Sequence, residues 1–556
     1  MKLTGSQIII ECLLEQGVDT IFGFPGGQIM PIYNALYDYV KDGRIRHILT
    51  SHEQGATHAA DGYARSTGKV GVVFATSGPG ATNTVTGIAT ANIDSSPLVV
   101  ITGQVPVASI GRDSFQEVDI VGVTFPIVKH SFGIRTIDEI APAVRSAFRI
   151  ARSGRPGPVL IDVPKDLTVA EAEYAPAKPL EPIKAEPPSD EKIAKAAEWI
   201  NEAERPVIYA GGGVRISESS GLLTELAEKA EIPVATTLMC LGSIDRNHPL
   251  SLGMAGMHGE REANLAFNGC DLLIAIGARF SDRVTGDTSR FVRNARVIHI
   301  DIDRSETGKN VDYDMRVIGD VKEVMERLLP LVEEKRREEW IKQIAGWKRE
   351  VGPSGKFDPD AIIGAIHEAF GDDTFIATDV GQHQMWTAQK WPFKRPRQLI
   401  SSGGLGTMGF GMGAAIGAQI AHPDKQVILI TGDGSFRMNM NELITISAYK
   451  LPVMVFVIKN NTLGMVRQWQ KLFFSRRYSA TDLPDIVDYT SLCEAFGLKG
   501  WEVSGVEGLK KAIGQAKAEL KQGRGAVIAC DISIDDNVWP IVPPGDAIFN
   551  QMTEEN

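Results

Sequence analysis

Cysteine is scarce: Cys12, Cys240, Cys270, Cys493 and Cys530 are the only five in 556 residues. They are scattered, odd in number and without metal-ligand spacing, which excludes a disulfide framework and points to reduced thiols in a cytoplasmic protein. Basic charge is not in excess either. Lys and Arg number 58 against 69 Asp and Glu, a net charge of −11. That balance argues against nucleic acid or an anionic membrane surface as the main partner. Long apolar runs are missing as well. The stretches 70–93 and 399–421 carry no acidic or basic side chain, but Gly, Thr, Ser, Asn or Pro interrupts both, whereas a bilayer span needs about 20 predominantly apolar residues. The N-terminus lacks a signal peptide's apolar core. Ile8, Ile9, Cys12 and Leu13 against Glu11 and Glu15 read as an amphipathic helix. No short-period repeat is visible.

What is present is ordinary globular material, 43% hydrophobic and 23% charged, enough for about three or four domains. A first part, 1–170, closes on an apolar strand at 158–163. A polar, Pro-rich linker follows over 170–190. A second part, 191–332, has predicted strands at 207–210, 272–276 and 297–302. The charged segment 333–350 reads as an exposed linker helix. A third part spans 358–534, followed by a Pro-bearing tail, 535–556. Strands alternating with helical patterns predict parallel α/β sheets throughout.

One segment concentrates the chemistry. The apolar run 427–430 ends in Thr431-Gly432-Asp433-Gly434-Ser435, and a second run, 453–458, ends in Lys459-Asn460-Asn461. A helical pattern over 440–449 lies between them. This reads as a right-handed βαβ unit with Asp433 and Asn460 at neighbouring strand ends, facing the crevice where parallel sheets bind ligands. One carboxylate and one amide oxygen suit Mg²⁺ when a diphosphate completes its octahedral shell. Gly432 and Gly434 let backbone approach phosphate. A Gly-Asp-Gly turn alone is as readily a satisfied loop aspartate; the second, Asn-bearing strand end favours a diphosphate-and-metal site.

Two further features carry alternatives. Gly404-Leu405-Gly406-Thr407-Met408-Gly409 fits a dinucleotide fingerprint. Only Leu399-Ile400 precedes it as an apolar run, and Asp433 is already paired with Asn460, so these glycines are assigned to close packing around another cofactor. The predicted strand 45–49 ends in Thr50-Ser51-His52-Glu53-Gln54-Gly55-Ala56, before a helix carrying Ala59, Ala60 and Ala64. A carboxylate there can approach a flat heteroaromatic ring, and burial would raise its proton affinity. Taken alone, Glu53 reads more readily as a first-turn acid stabilised by the helix dipole. The small-residue segments 55–64 and 409–421 suit close helix packing, either within one chain or between two.

His52-Glu53-Gln54-Gly55-Ala56, Gly62-Tyr63-Ala64-Arg65 and the Gly432-Asp433-Gly434/Asn460 pair resemble the thiamine diphosphate (ThDP)-dependent decarboxylase and carboligase superfamily. Finer motifs resemble its acetohydroxyacid synthase large-subunit family. They are Phe24-Pro25-Gly26-Gly27, Asp113-Ser114-Phe115-Gln116-Glu117, Gly154-Arg155-Pro156-Gly157-Pro158, Gly277-Ala278-Arg279-Phe280, Asp282-Arg283-Val284-Thr285-Gly286, Val380-Gly381-Gln382-His383 and Gly464-Met465-Val466-Arg467-Gln468-Trp469. The resemblance runs through the whole chain in order.

It implies three consecutive parallel-sheet α/β domains (pyrimidine-binding, FAD-binding and diphosphate-binding) and ThDP, Mg²⁺ and FAD as cofactors. Glu53 would hydrogen-bond the aminopyrimidine. Met408 would support the bent cofactor and the Gly406 carbonyl would accept from its amine, with Val380, Gln382, His383, Gly432, Gly434 and Ser435 as further contacts. Asp433, Asn460 and the Thr462 carbonyl would hold Mg²⁺. Pyruvate would be decarboxylated and joined to a second 2-ketoacid, pyruvate or 2-ketobutyrate, for branched-chain amino acid biosynthesis. Arg283 would clamp a carboxylate and Trp469 would favour the larger acceptor, with Gln116, Phe115, Gly27 and Lys165 in the same cleft. Arg155, Gly212, Gly213, Met257, His258, Gly277, Arg279, Asp301, Ile302 and Asp320 would hold FAD in a structural role. A homodimer or dimer of dimers is implied, each site borrowing Glu53 from the partner chain, together with a small regulatory subunit. Departures from the family pattern are Glu260-Arg261-Glu262, Ser281 and Gln28. Arg279-Phe280 and the 465–469 signature follow the anabolic rather than the FAD-free catabolic type. Two other readings are a different ThDP enzyme, such as a pyruvate oxidase or glyoxylate carboligase, and a silent regulatory subunit. Glu53 counts against the carboligase. Glu53, Asp433 and Asn460 together count against the silent subunit.

Overall fold

The computed structural model describes residues 1–348 and 355–553. A short strand β1 (Lys2–Thr4) leads into a six-stranded sheet of β2 (Thr20–Gly23), β3 (Arg46–Leu49), β4 (Gly71–Ala75), β5 (Leu98–Gln104), β6 (His130–Gly133) and β7 (Val159–Pro164), ordered β3-β2-β4-β5-β7-β6. Strand β8 (Glu171–Glu173) returns antiparallel onto β1. The second sheet holds β9 (Pro206–Ala210), β10 (Val234–Thr236), β11 (Ser251–Met254), β12 (Leu272–Ile276), β13 (Arg296–Asp301) and β14 (Met315–Ile318) in the order β11-β10-β9-β12-β13-β14. The third holds β15 (Phe375–Thr378), β16 (Leu399–Ile400), β17 (Val427–Gly432), β18 (Val453–Lys459), β19 (Lys499–Val503) and β20 (Ala526–Asp531) in the order β16-β15-β17-β18-β20-β19. Every pairing within these three sheets is parallel. Central strands such as β5, β17 and β18 are buried along their whole length, as expected where helices cover both faces.

Each sheet has a switch point within it: between β2 and β4, between β9 and β12, and between β15 and β17. At such switch points the connections diverge to opposite faces and leave a crevice at the carboxyl ends of the strands. Phe24–Gly27 and Thr76–Gly80 flank the first crevice, Gly211–Gly213 and Gly277–Arg279 the second, and Asp379–Gly381 and Gly432–Asp433 the third.

Two expectations change. The pattern over 440–449 is not one helix. The chain turns helical at Asp433 and runs to Asn439, passes through a 3₁₀ turn at Met440–Glu442, and resumes over Leu443–Ala448. The segment 333–350 is not a long exposed helix. Helix is confined to Glu338–Ala345, whose Trp340 and Ile344 are buried against the second sheet. Arg337 is buried and donates to the carbonyls of Ala203, Ala230 and Ile200. The charged composition hid this docking, since only two apolar residues, four apart, occupy the buried face of a short helix. Residues 349 and 350 lie outside the described part. Among the described residues no helix is long and apolar enough to cross a membrane.

The small-residue helices Glu53–Thr67 and Phe410–Ala421 pack against one another within the chain, at nearly backbone distance. A Cβ on Gly417 would stand 1.8 Å from the Ala59 carbonyl oxygen, and one on Gly62 would stand 2.2 Å from that of Ala414. Arg65 pins the contact. Its guanidinium, 3% exposed, donates to both Asp61 oxygens at 2.8 Å, to Asp94 at 3.0 Å and to the Ser401 carbonyl at 2.8 Å. Gly417→Ala is therefore expected to lower the thermal midpoint, overpacking of this kind costing typically about 1–3 kcal/mol. Gly364→Ala, on an exposed helix face with nothing within 4 Å, should leave it unchanged or raise it, a gain of about 0.5–1 kcal/mol. Calorimetry on the two variants compares them directly; equal midpoints would contradict the packing argument.

Candidate active site

The third crevice is built from the ends of β15, β17 and β18. Asp379 fixes two of these ends, accepting from Gly411 N–H at 2.9 Å and from Thr431 Oγ1 at 2.7 Å. Asp433 begins the next helix, and its carboxylate accepts from the backbone N–H groups of Gly434 (3.0 Å) and Asn461 (2.8 Å). Burial raises its pKa to about 6. Asn460, one strand over, accepts from Thr462 N–H at 3.3 Å and donates to Gln382 at 3.2 Å. Gln382 in turn donates to Gln468 and the Asp536 carbonyl, both at 3.0 Å, so the tail braces the amide. Asn461 adopts φ +54°, a left-handed conformation that Asn tolerates, and its Oδ1 is buried without a partner. His383 is buried, which pushes its pKa down to about 3, and its Nε2 also lacks a partner. A carboxylate, an amide oxygen and two unpartnered buried atoms fit a diphosphate with its divalent cation. Among the described residues no group of three or more His, Cys, Asp and Glu side chains is placed to hold a metal ion, so such a cation would need phosphate oxygens to complete its shell.

The glycines here have a specific reason. A Cβ on Gly432 would meet the His383 ring at 2.8 Å, and one on Gly434 would meet Leu463 at 2.7 Å, with Met408 Cε 3.7 Å away. Met408 thus flanks this turn, while Gly406, at φ +70°, lies beside Val380, whose Cγ1 would stand 3.8 Å from a Cβ there. Ser435 donates to the Val380 carbonyl at 3.2 Å.

Beside this crevice opens a cavity of about 1250 Å³ reaching into the second sheet's switch point. Its wall includes Arg155, Gly212, Gly213, Met257, His258, Gly277, Arg279, Asp301, Ile302 and Asp320, with Val380, Gly406, Arg283 and Trp469 at the end next to the third sheet. Gly213 must be glycine because a Cβ would lie 2.7 Å from Gly277 Cα, which itself has φ +55°; Gly212 faces open space, with only Met239 at 3.5 Å. Three wall atoms, Tyr209 Oη, Thr237 Oγ1 and His258 Nδ1, are buried without partners, as a large polar cofactor would require. Burial raises the Asp301 pKa to about 6. Arg155 donates to Ser95 at 2.7 Å and pairs with Glu306 at 2.8 Å. Arg283 is exposed, with its guanidinium 5.4 Å above the Trp469 ring.

Glu53 stands at the first crevice instead. It opens the Glu53–Thr67 helix, is 8% exposed, and its Oε2 accepts from Asn83 at 2.9 Å, while a Cβ on Gly80 would meet Oε1 at 3.1 Å. Gln116, at φ +60°, packs its backbone over Gly78, and Lys165 starts the helix after β7. Phe115 is 83% exposed. Glu53, Gln116 and Lys165 do not line the large cavity. The chain thus assembles the expected residues into two groups, one around the second and third switch points and one at the first.

Sequence reading missed part of the wall: Tyr209, Thr237, Met239 and Asp94. Asp94 accepts from Gly403 N–H at 2.9 Å and Gly404 N–H at 2.7 Å as well as from Arg65. It gives the glycine-rich 403–409 loop a packing role, and residues 403–406 of that loop line the cavity. Nothing in Asn92-Ile93-Asp94-Ser95-Ser96 marks it, because its loop partners Gly403 and Gly404 lie over 300 residues away.

Family models for the N-terminal thiamine pyrophosphate (TPP) binding domain, the central domain and the C-terminal TPP binding domain of thiamine pyrophosphate enzymes match residues 3–123, 193–328 and 379–530. The chain is 48% identical over 558 residues to the acetolactate synthase large subunit of Parasynechococcus marenigrum, covering 98% of this chain and 90% of that protein. It is 46% identical to the isozyme 1 large subunit of Escherichia coli, covering 98% and 97%, and 45% identical to the large subunit of Pyropia yezoensis, covering 98% and 94%. With thiamine pyrophosphate enzyme domains matched in order and relatives aligned nearly end to end, the chain belongs to the acetolactate synthase large-subunit family.

Proposed function

We propose that this chain decarboxylates pyruvate and joins the resulting two-carbon unit to a second 2-ketoacid, pyruvate or 2-ketobutyrate, as a ThDP-dependent acetolactate synthase of branched-chain amino acid biosynthesis. The observation that carries the reading is the set of ligand-competent residues at all three switch points. ThDP, when bound, supplies the electron sink. Asp433, Asn460 and the Thr462 carbonyl would hold Mg²⁺ for its diphosphate, and Gln382, His383, Gly432, Gly434, Ser435, Val380, Met408 and Gly406 would contact the cofactor. Glu53 would hydrogen-bond the aminopyrimidine through Oε1, since Asn83 already donates to Oε2; positioned proton transfer contributes typically about 10²- to 10⁴-fold. Arg283 receives a substrate carboxylate and the Trp469 face receives the acceptor's alkyl group, where one methylene is worth about 1–3 kcal/mol. Gln116 and Lys165 close the cleft. Gly212, Arg279, Asp301 and their neighbours would hold FAD in the large cavity, in a structural role.

Because Glu53 lies outside the cavity wall that carries Arg283 and Trp469, a symmetric dimer in which each chain lends Glu53 to the other accounts for both groups. The units 1–170, 191–332 and 358–534 then serve as pyrimidine-binding, FAD-binding and diphosphate-binding domains, with 535–556 as a tail. A small regulatory subunit accompanies the large one, as the relatives' names imply, in the cytoplasm.

Product analysis tests the reaction. With ThDP, Mg²⁺, FAD and pyruvate, acetolactate is the expected product; acetyl phosphate or hydrogen peroxide would point to an oxidase, and no turnover would end the proposal. Glu53→Gln should retain ThDP yet lose most of the deuterium exchange at its C2, roughly 10²-fold or more, read by NMR of the bound cofactor. Mixing inactive Glu53→Gln and Asp433→Ala chains should restore about a quarter of the sites on the symmetric-dimer picture. A mixture that stays inactive after verified subunit exchange rules out the shared site.

A further inference from the structure

Glu442 is a fully buried carboxylate with no part in the chemistry above. It ends the 3₁₀ turn that follows the Asp433–Asn439 helix in the third domain, yet most of its partners belong to the first. Ser51 N–H reaches both its oxygens at 3.1 Å, and His52 N–H reaches Oε1 at 3.1 Å. From its own domain, Thr445 Oγ1 donates to Oε2 at 2.6 Å. Ser51 Oγ adds a bond to the Asn441 carbonyl at 3.2 Å.

Those two amides are the last before the Glu53–Thr67 helix, so the next residue along the chain is Glu53. The carboxylate also rests on the helix's first turn: a Cβ on Gly55 would lie 2.1 Å from Glu442 Oε1 and 2.6 Å from its Cδ. That close approach accounts for the glycine two residues after Glu53, and the positive end of the helix dipole favours an anion there. Burying a carboxylate is costly unless its oxygens are satisfied. Here burial raises the Glu442 pKa, and the bonds from Thr445, Ser51 and His52 oppose that rise. Among the described residues, no other acidic side chain accepts from residues 51 and 52.

We propose that Glu442 is a positioning residue: it clamps Ser51 and His52 from the third domain and so sets the direction in which Glu53 is presented. The inference rests on the reading of Glu53 as the group at the aminopyrimidine. Glu442 touches neither substrate nor cofactor; it acts through the two amides.

The test compares full-length Glu442→Gln, Glu442→Ala, Thr445→Val and Glu53→Gln proteins, reconstituted with ThDP and Mg²⁺. Exchange at C2 is measured per bound cofactor, beside ThDP affinity and the kcat and KM for pyruvate. Glutamine keeps the shape of Glu442 but presents an NH₂ to one of the backbone donors. Glu442→Gln should slow exchange and kcat roughly tenfold to a hundredfold, the scale expected of a misplaced group, while ThDP affinity and KM stay within about threefold. Glu442→Ala should be slower still, and Thr445→Val, which leaves the backbone bonds intact, should exchange like wild type. If Glu53→Gln exchanges slowly but Glu442→Gln exchanges at the wild-type rate, the inference falls alone. Loss of exchange only in proportion to lost ThDP occupancy would reduce Glu442 to a structural residue and overturn it too. If Glu53→Gln itself exchanges normally, the reading of Glu53 fails first.

Discussion

The contact between the Glu53–Thr67 and Phe410–Ala421 helices sets the relative placement of two crevices that lie far apart in sequence. Ordinary helix pairs stand 8–10 Å apart because side chains separate them. Here Gly62, Gly413 and Gly417 remove the side chains, so backbone meets backbone with room for no Cβ. Such a contact gains from dispersion over many atoms, and it tolerates no drift in register because the opposing atoms are rigid. Arg65 adds direction to it. A guanidinium that deeply buried is held only while Asp61, Asp94 and the Ser401 carbonyl all remain in place, and removing one partner of a buried pair typically costs about 3–5 kcal/mol. The same Asp94 orders the glycine-rich 403–409 loop, so the network that docks the domains also shapes the cavity wall.

From that fixed frame the chemistry follows sheet topology. Each sheet opens a crevice where its connections diverge, and each crevice presents a different set of groups: a buried carboxylate in the first, a glycine-lined, largely apolar cavity with a few buried polar atoms in the second, and a carboxylate–amide pair in the third. Burial raises proton affinity at Asp433 and Asp301, both acids at strand ends. These groups hold their charge at the expense of solvation, and a cation or hydrogen-bond donor arriving there recovers part of that cost.

Legibility in the sequence followed the range of the interactions involved. The strands that carry Asp433 and Asn460 were readable because a parallel strand buried on both faces is an apolar run ending at a turn. The helix between them was misjudged at its start, since Gly-Asp-Gly suggests a turn while the structure makes Asp433 the first helical residue. The 333–350 segment was misjudged because its charges outnumber the two residues, Trp340 and Ile344, that bury it. The large cavity was traced through motif residues such as Gly212 and Arg279. Asp94, Tyr209 and Thr237 escaped because their part in the wall depends on partners brought from other domains. No local pattern encodes that.

Glycine carries the deeper lesson. Read as sequence, Gly432 and Gly434 stand for backbone bared to phosphate, and Gly55 for a small residue in a helix. In the fold all three make room for a side chain: His383 over Gly432, Leu463 beside Gly434, Glu442 on Gly55. A glycine beside a functional residue therefore reports what packs against that residue as much as what binds to it. His383 holds the turn that presents Asp433, and Glu442 holds the turn that presents Glu53. In both cases the glycine marks where one element reaches in to fix the other's polar end. Signature motifs of this kind record the support for the chemistry together with the chemistry itself, because a carboxylate can be aimed only by atoms that approach it closely, and only a missing side chain leaves them the space.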